Sequence, residues 1–375
     1  MKIALVCDWF LPRIGGIERH LDQLSAQLVT AGHDVTVITP TKGNALAASG
    51  VRVQRMPAWL VPGVGLIWTP ASFRRIGRVI RSGAFDVVHV HSSIISPAAY
   101  AAVYHAQAAG LPTVSTGHSI WGGFTPVFKA VDGLSHWTRW PVAFSSVSER
   151  VARELRPLVA PQPVDLLPNA IDPVEWSLVL RPPSPVINIA TVMRLAPRKR
   201  GAALLLALRK VRSQLPISTR ICLQIAGDGP ERPRLERMSR ALHLTESVRF
   251  LGAQSAAEVK TLLAESHFFV LPSKLEAFGI AALEARAAGL PVVAMKEGGV
   301  SEFVADGREG LLAEDDAGLA DALLRLCRDV SLREAITDHN RGTPVKFTWE
   351  HALKAHLETY ERARELSGAR AMRAL

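Results

Sequence analysis

The feature that most limits the fold is a double series of short β-branched apolar runs separated by stretches of helical length. Ile3 to Val6, Val35 to Ile38, Val87 to Val90, Pro112 to Thr116 and Ala143 to Val147 form the first series. Between them, Gly16 to Ala31 is closed by Gly32, and Ser96 to Ala109 by Gly110, as helices are. Strand, helix, strand in repetition predicts an α/β fold with a parallel sheet covered on both faces. The series pauses at R-P-P-S-P, Arg181 to Pro185, whose composition favours an extended linker. It restarts with Ile187 to Val192, Arg220 to Ala226, Val248 to Leu251, Phe268 to Leu271 and Pro291 to Ala294. Two doubly wound domains are therefore expected, residues 1–180 and 181–348, facing across a cleft into which the carboxyl ends of both sheets point their loops. From Trp349 to the end the spacing predicts one charged amphipathic helix.

Composition narrows the class further. A chain of 375 residues with 48% hydrophobic content can bury two ordinary cores. The net charge of +10 implies an acidic partner: a nucleotide, a phospholipid surface or nucleic acid. No helix-turn-helix or RNA-binding signature accompanies the charge, so nucleic acid is not an expected partner. Cys7, Cys222 and Cys327 are odd in number, widely spaced and set among apolar residues, which suits a reduced, cytoplasmic protein without cysteine metal sites. Too few apolar residues precede Asp8 for a signal-peptide core. The apolar stretch from Pro57 is interrupted by Pro62, Gly63, Gly65 and Pro70, so a chain that lies on a membrane is compatible with it and one that crosses is not.

Several loops fall where strands should end. After the first strand comes W-F-L-P-R-I-G-G-I-E-R-H, in which Gly15 and Gly16 leave the backbone open to a ligand before a helix start. A plain tight turn explains a lone G-G almost as well. G-D-G at Gly227 is followed by Pro230 and Glu231 with no third glycine, which argues against a nicotinamide enzyme. V-M-R-L-A-P-R-K-R-G places Arg194 and Lys199 directly after a strand, where a diphosphate could lie; the alternative is a solvated basic face. From Val87 to Phe128 there is no Asp, Glu, Lys or Arg, and His89, His91, His105 and His118 are the histidines of that stretch. His118, in a loop after a strand, is the candidate facing the cleft. His89 and His91 alternate on one strand and could share a face, without a convincing set of metal partners. Glu276 and Glu284 stand eight positions apart in an alanine-rich stretch, the first in a loop and the second on the second turn of a helix expected to begin near Phe278. About 12 Å of helical rise separates such positions, too far for a shared acid–base pair.

Taken together, G-G-I-E at Gly15, H-S at His118, P-N-A-I-D at Pro168, R-L-A-P-R-K at Arg194, G-D-G-P at Gly227 and E-A-F-G-I-A-A-L-E at Glu276 occur in the order seen in the retaining glycosyltransferases of family 4, which the chain resembles over nearly its whole length. The resemblance implies the GT-B arrangement of two Rossmann-like domains, an acceptor-binding one first and a nucleotide-sugar-binding one second, with the last helix, 349–375, packing back on the first. It implies that Arg194 and Lys199 hold the donor diphosphate, and that the Gly15–Gly16 loop lies beside the phosphates and acceptor. Glu276 and the following Ala277, Phe278 and Gly279 would meet the transferred sugar and phosphates, Glu284 the ribose hydroxyls, and His118 the region of the donor sugar. Transfer would retain anomeric configuration and need neither metal nor cofactor. Two departures, Met193 before the Arg-Leu pair and Ala170 within P-N-A, alter turn geometry and remove no charge.

Within that group the motifs H-S-S, T-G-H-S-I-W-G-G and L-P-N-A-I-D-P-V-E-W are most similar to members that add N-acetylglucosamine to phosphatidylinositol, and more distantly to inositol and phosphatidylinositol glycosyltransferases. This implies UDP-N-acetylglucosamine in preference to GDP-mannose as donor, and an inositol-type or glycolipid acceptor. Glu18, His91 and Trp121 are the acceptor-side candidates. The apolar segment Trp59 to Trp68, the arginines Arg74, Arg75, Arg78 and Arg81, and the aromatics Trp121, Phe124, Phe128, Trp137 and Trp140 suit a peripheral site on an anionic inner membrane surface. A nucleotide-binding protein without catalysis and a mannosyltransferase are the alternative readings.

Overall fold

The apolar run at the amino terminus becomes strand β1 (Lys2–Cys7), and alternation explains why it is unbroken. Ile3, Leu5 and Cys7 enter one core layer while Ala4 and Val6 enter another. A strand covered on both sides leaves no position for a solvated side chain. The structure, a computed structural model, describes residues 1–375 except 14, 44–46, 48, 49, 57, 58, 62–64, 68, 178–184, 374 and 375, and gives only the backbone at 59–61, 65–67 and 370–373. The proposed linker from Arg181, apart from Pro185, and the side chains of Trp59 to Trp68 thus lie outside the described residues.

Two units divide the chain, one of Met1–Ala170 with Trp349–Leu375 and one of Ile171–Thr348. In the first, β1 is joined by β2 (Asp34–Thr39), β3 (Arg52–Arg55), β6 (Val87–Ser92), β7 (Thr113–Gly117), β8 (Ala143–Ser146) and β9 (Val164–Leu166). The order is β3-β2-β1-β6-β7-β8-β9, with every neighbouring pair parallel. A separate antiparallel hairpin is made by β4 (Trp59–Val61) and β5 (Gly65–Ile67). Helix Gly16–Thr30 and the terminal helix Trp349–Arg373 cover one face, with Leu21, Leu24, Trp349 and Tyr360 buried there. Helices Pro70–Ser82 and Pro97–Ala108 cover the other with Ile76, Ile80, Ala98 and Ala102.

The second unit contains β10 (Val186–Val192), β11 (Arg220–Ala226), β12 (Val248–Gly252), β13 (Phe268–Leu271), β14 (Val292–Met295) and β15 (Gly310–Ala313). Their order, β12-β11-β10-β13-β14-β15, is again parallel throughout. The boundary falls at Ala170 rather than at residue 180, because Ile171 donates its N–H to Phe347 O and pairs with Thr348. Trp176, on the short helix Pro173–Trp176, is buried, with the Lys260 ammonium 5.4 Å from its ring centroid. The helix expected near Phe278 begins at Ile280 instead, since Gly279 at φ 95° interrupts the helical path.

Each sheet reverses its strand order once, between β1 and β6 in the first unit and between β10 and β13 in the second. Open α/β sheets bind ligands at the carboxyl ends of the strands flanking such a switch point, where the two loops diverge.

Candidate functional site

In the second unit the loop after β10 carries Arg194 and Lys199, and the loop after β13 carries Glu276. These are the two loops of the switch point. Lys199 Nζ lies 2.6 Å from Glu276 Oε2, with both side chains mostly shielded from water. Arg194 is exposed and has no side-chain hydrogen bond or ion pair among the described residues. Glu284 is buried on the second turn of helix Ile280–Ala287, whose amino end begins just past the Glu276 loop. A cation, a second cation held by a carboxylate, and a helix amino end can together receive a diphosphate.

Glycines allow these loops to approach one another. A Cβ on Gly227 would lie 1.9 Å from Met193 O, and one on Gly229 would lie 2.4 Å from Leu195 O. Met193 N donates to Ala226 O at 3.0 Å and Leu195 N to Asp228 O at 2.9 Å, so the end of β11 and the G-D-G segment together hold both residues flanking Arg194. Met193 occupies its turn as a buried core residue. The Glu276 loop is backed similarly: Gly299 N donates to Glu276 O at 2.8 Å, and a Cβ on Gly299 would lie 2.2 Å from Ala277 O. Phe278 is buried, its ring 5.4 Å from Phe303 and 5.2 Å from Phe347.

Two contributors here escaped the sequence reading. Gly298 and Gly299 form a G-G pair shortly after β14, separated from it by Lys296 and Glu297, a signal that was present in the sequence. Arg200 adopts φ 58°, donates to Pro272 O at 2.9 Å and pairs with Asp316, tying the Lys199 loop to the base of the Glu276 loop. Nothing in R-K-R-G distinguishes its role from that of its neighbours.

In the first unit, Gly15 is the cap of helix Gly16–Thr30 at an extended φ of −169°, a conformation open to any residue. Its missing side chain makes room for Glu18: a Cβ would lie 2.4 Å from Glu18 Oε2. Glu18 is buried and pairs with Arg13 at 3.1 Å, and the Arg13 guanidinium lies over Trp9 at 3.9 Å. A carboxylate thus already occupies the first turn of that helix. Trp121 is also largely buried, its ring stacked on Phe128 at 4.1 Å and its backbone N–H donated to Glu154 Oε2 at 2.6 Å.

The histidines of the uncharged stretch meet two more from distant parts of the chain. His89 and His91 alternate on β6 with ring centroids 4.0 Å apart, facing His356 and Tyr360 of the terminal helix and His20 of helix Gly16–Thr30. His118, after β7, bonds His91 through Nε2 at 2.8 Å. Burial lowers the pKa of His20, His89 and His91 well below the usual imidazole value, that of His118 to about 3 and that of His356 to about 4. Among the described residues, no group of three or more His, Cys, Asp or Glu is arranged to hold a metal ion. His105 is separate, bonding Phe73 O at 3.0 Å. Neither His20 nor His356 was singled out from sequence, because their partners lie far away along the chain.

Residues 14–175 match the family described as Glycosyltransferase Family 4, and residues 179–343 match Glycosyl transferases group 1. The chain is similar to a subunit of the phosphatidylinositol N-acetylglucosaminyltransferase of Arabidopsis thaliana, 30% identical over 98% of this chain and 83% of that one. It is also similar to the glycogen synthase of Mycobacterium tuberculosis, 30% identical over 96% of this chain and 94% of that one. Its fold is like that of Anabaena HepE, solved in complex with UDP and glucose, with a TM-score of 0.73 and 18% identity over 100% of both chains.

Proposed function

The chain belongs to glycosyltransferase family 4, and from that premise we propose that it is a retaining enzyme moving a hexose or N-acetylhexosamine from a nucleoside diphosphate sugar to an inositol-containing lipid. The observation that carries the reading is the 2.6 Å contact of Lys199 with Glu276 at the switch point, next to exposed Arg194. UDP-N-acetylglucosamine is the favoured donor, with GDP-mannose the alternative; the name of the Arabidopsis relative supports the first.

In this reading Arg194 and Lys199 stabilise charge developing on the departing diphosphate, each worth roughly 3 kcal/mol. Glu276 holds hydroxyls of the transferred sugar, Glu284 holds those of the ribose, and His118 lies beside the sugar. The acceptor hydroxyl attacks from the face that the diphosphate leaves, its proton passes to the departing phosphate oxygen, and configuration is kept. The reaction uses these side chains without a metal or cofactor. A binding protein that has lost catalysis is the weaker reading, since Arg194, Lys199, Glu276 and Glu284 are all present.

A peripheral site on the inner membrane surface completes the proposal. Helix Pro70–Ser82 exposes Arg74, Arg75, Arg78 and Arg81 and contains no acidic residue. Helix Thr125–Ser135 exposes Val127, Val131 and Leu134, with Phe124 just before it. No helix among the described residues is long and apolar enough to cross a membrane. A thermal-shift panel of UDP, GDP and ADP tests the nucleotide reading: UDP should raise the melting temperature most, and no response to any of the three would overturn it.

A further inference from the structure

His91 Nδ1 and His118 Nε2 lie 2.8 Å apart, and burial holds both rings neutral. One of the two facing nitrogens therefore carries a hydrogen and the other a lone pair. The remaining nitrogens are unlike. His91 Nε2 is buried without a partner. His118 Nδ1 has no bond either, yet it is not sealed off as His91 Nε2 is, so it is the nitrogen that solvent reaches. If His118 were the donor, His91 would carry its hydrogen on Nε2, an N–H sealed away from every acceptor. Orphaned buried N–H groups are the rarer kind of unsatisfied group. His89 cannot relieve it, because its own nitrogens are engaged by Tyr360 Oη at 3.0 Å and Thr116 Oγ1 at 2.7 Å.

We propose that His91 is a positioning residue that donates its Nδ1 hydrogen to His118 Nε2, fixing His118 as the tautomer whose hydrogen sits on the accessible Nδ1. That N–H is then a neutral donor to an oxygen of the sugar being transferred, which rests on the functional reading given above. The His118 loop is held separately, its backbone N–H bonding Ser92 O at 2.9 Å, so His91 governs the orientation and tautomer of the ring more than the position of the loop.

Two measurements on the full chain test this. In protein labelled with 15N-histidine, imidazole 1H–15N correlations should place the hydrogen on Nδ1 in both His91 and His118; a hydrogen on Nε2 of His118 overturns the proposal. This needs no variant to fold. In sugar transfer, His91→Asn keeps an amide N–H near the place of Nδ1, whereas His91→Leu has none. The Leu variant should lose about tenfold or more in kcat/KM with UDP affinity unchanged, and the Asn variant should recover much of that loss. Equal transfer by the two overturns the proposal. If the parent protein transfers no sugar from any donor, the functional reading falls, while the tautomer measurement still decides the role of His91.

Discussion

Lys199 Nζ and Glu276 Oε2 are 2.6 Å apart, so the cation expected to meet the diphosphate is paired with the carboxylate expected to meet the sugar. A donor must therefore compete with Glu276 for Lys199. Glu276→Ala should lower transfer by about 100-fold or more while leaving UDP affinity the same or higher, because Lys199 is released. Lys199→Ala should lower both. Glu284→Ala should weaken binding of free UDP about tenfold, close to 1.4 kcal/mol. Calorimetric titration of UDP beside kcat measurement distinguishes the three; a tenfold loss of UDP affinity in Glu276→Ala would contradict this division of roles.

Gly227 is held at φ 132° with Met193 O where a Cβ would have to go, at 1.9 Å. Backbone does not yield as a flexible side chain does. Gly227→Ala should cost about 3 kcal/mol of stability, or else displace the Arg194 loop and weaken nucleotide binding. Urea unfolding and UDP titration check both, and a variant unchanged in each would show the approach to be looser than described.

Five buried histidines give the first unit a defined acid response. Their folded pKa values lie below the ordinary 6.5, near 3 for His118 and 4 for His356, so below pH 6.5 the unfolded chain takes up protons that the folded chain refuses. The stability they contribute is complete above pH 6.5 and is lost as pH falls toward the folded values, with a slope approaching about 1.4 kcal/mol per pH unit for each. Urea midpoints at pH 7.5, 6 and 5 should fall accordingly. His356→Gln should remove about one proton from that slope; an equal slope would mean that His356 is not held neutral.

The arginines of helix Pro70–Ser82 lead to a membrane test. The protein should sediment with anionic vesicles, be released by salt and be recovered poorly with neutral ones. Arg74→Glu with Arg78→Glu should reduce sedimentation at least severalfold. Equal recovery with neutral and anionic vesicles would remove the electrostatic part.

Much of the fold was legible because central strands are buried on both faces and write themselves as apolar runs. β11 (Arg220–Ala226) and β13 (Phe268–Leu271) fall where those runs lie. The edge strands of the first sheet did not announce themselves: β3 reads R-V-Q-R and β9 reads V-D-L, each paired on one side alone and partly exposed. Arg194 and Lys199 were found through their place after a strand, and Glu276 as a carboxylate in an alanine-rich stretch. Their mutual arrangement was not, since the Lys199–Glu276 contact joins loops that only the sheet order brings together. The histidine cluster was half visible, as His89, His91 and His118; His20 and His356 join it through helix packing that no local pattern records.

The most direct test supplies radiolabelled UDP-N-acetylglucosamine or GDP-mannose, with phosphatidylinositol in vesicles, and follows label into lipid and release of nucleoside diphosphate. The expected result is labelled lipid formed in step with UDP, in the presence of a chelator, with the anomeric configuration of the donor sugar kept. Release of nucleotide without labelled lipid, or a product of inverted configuration, would contradict it.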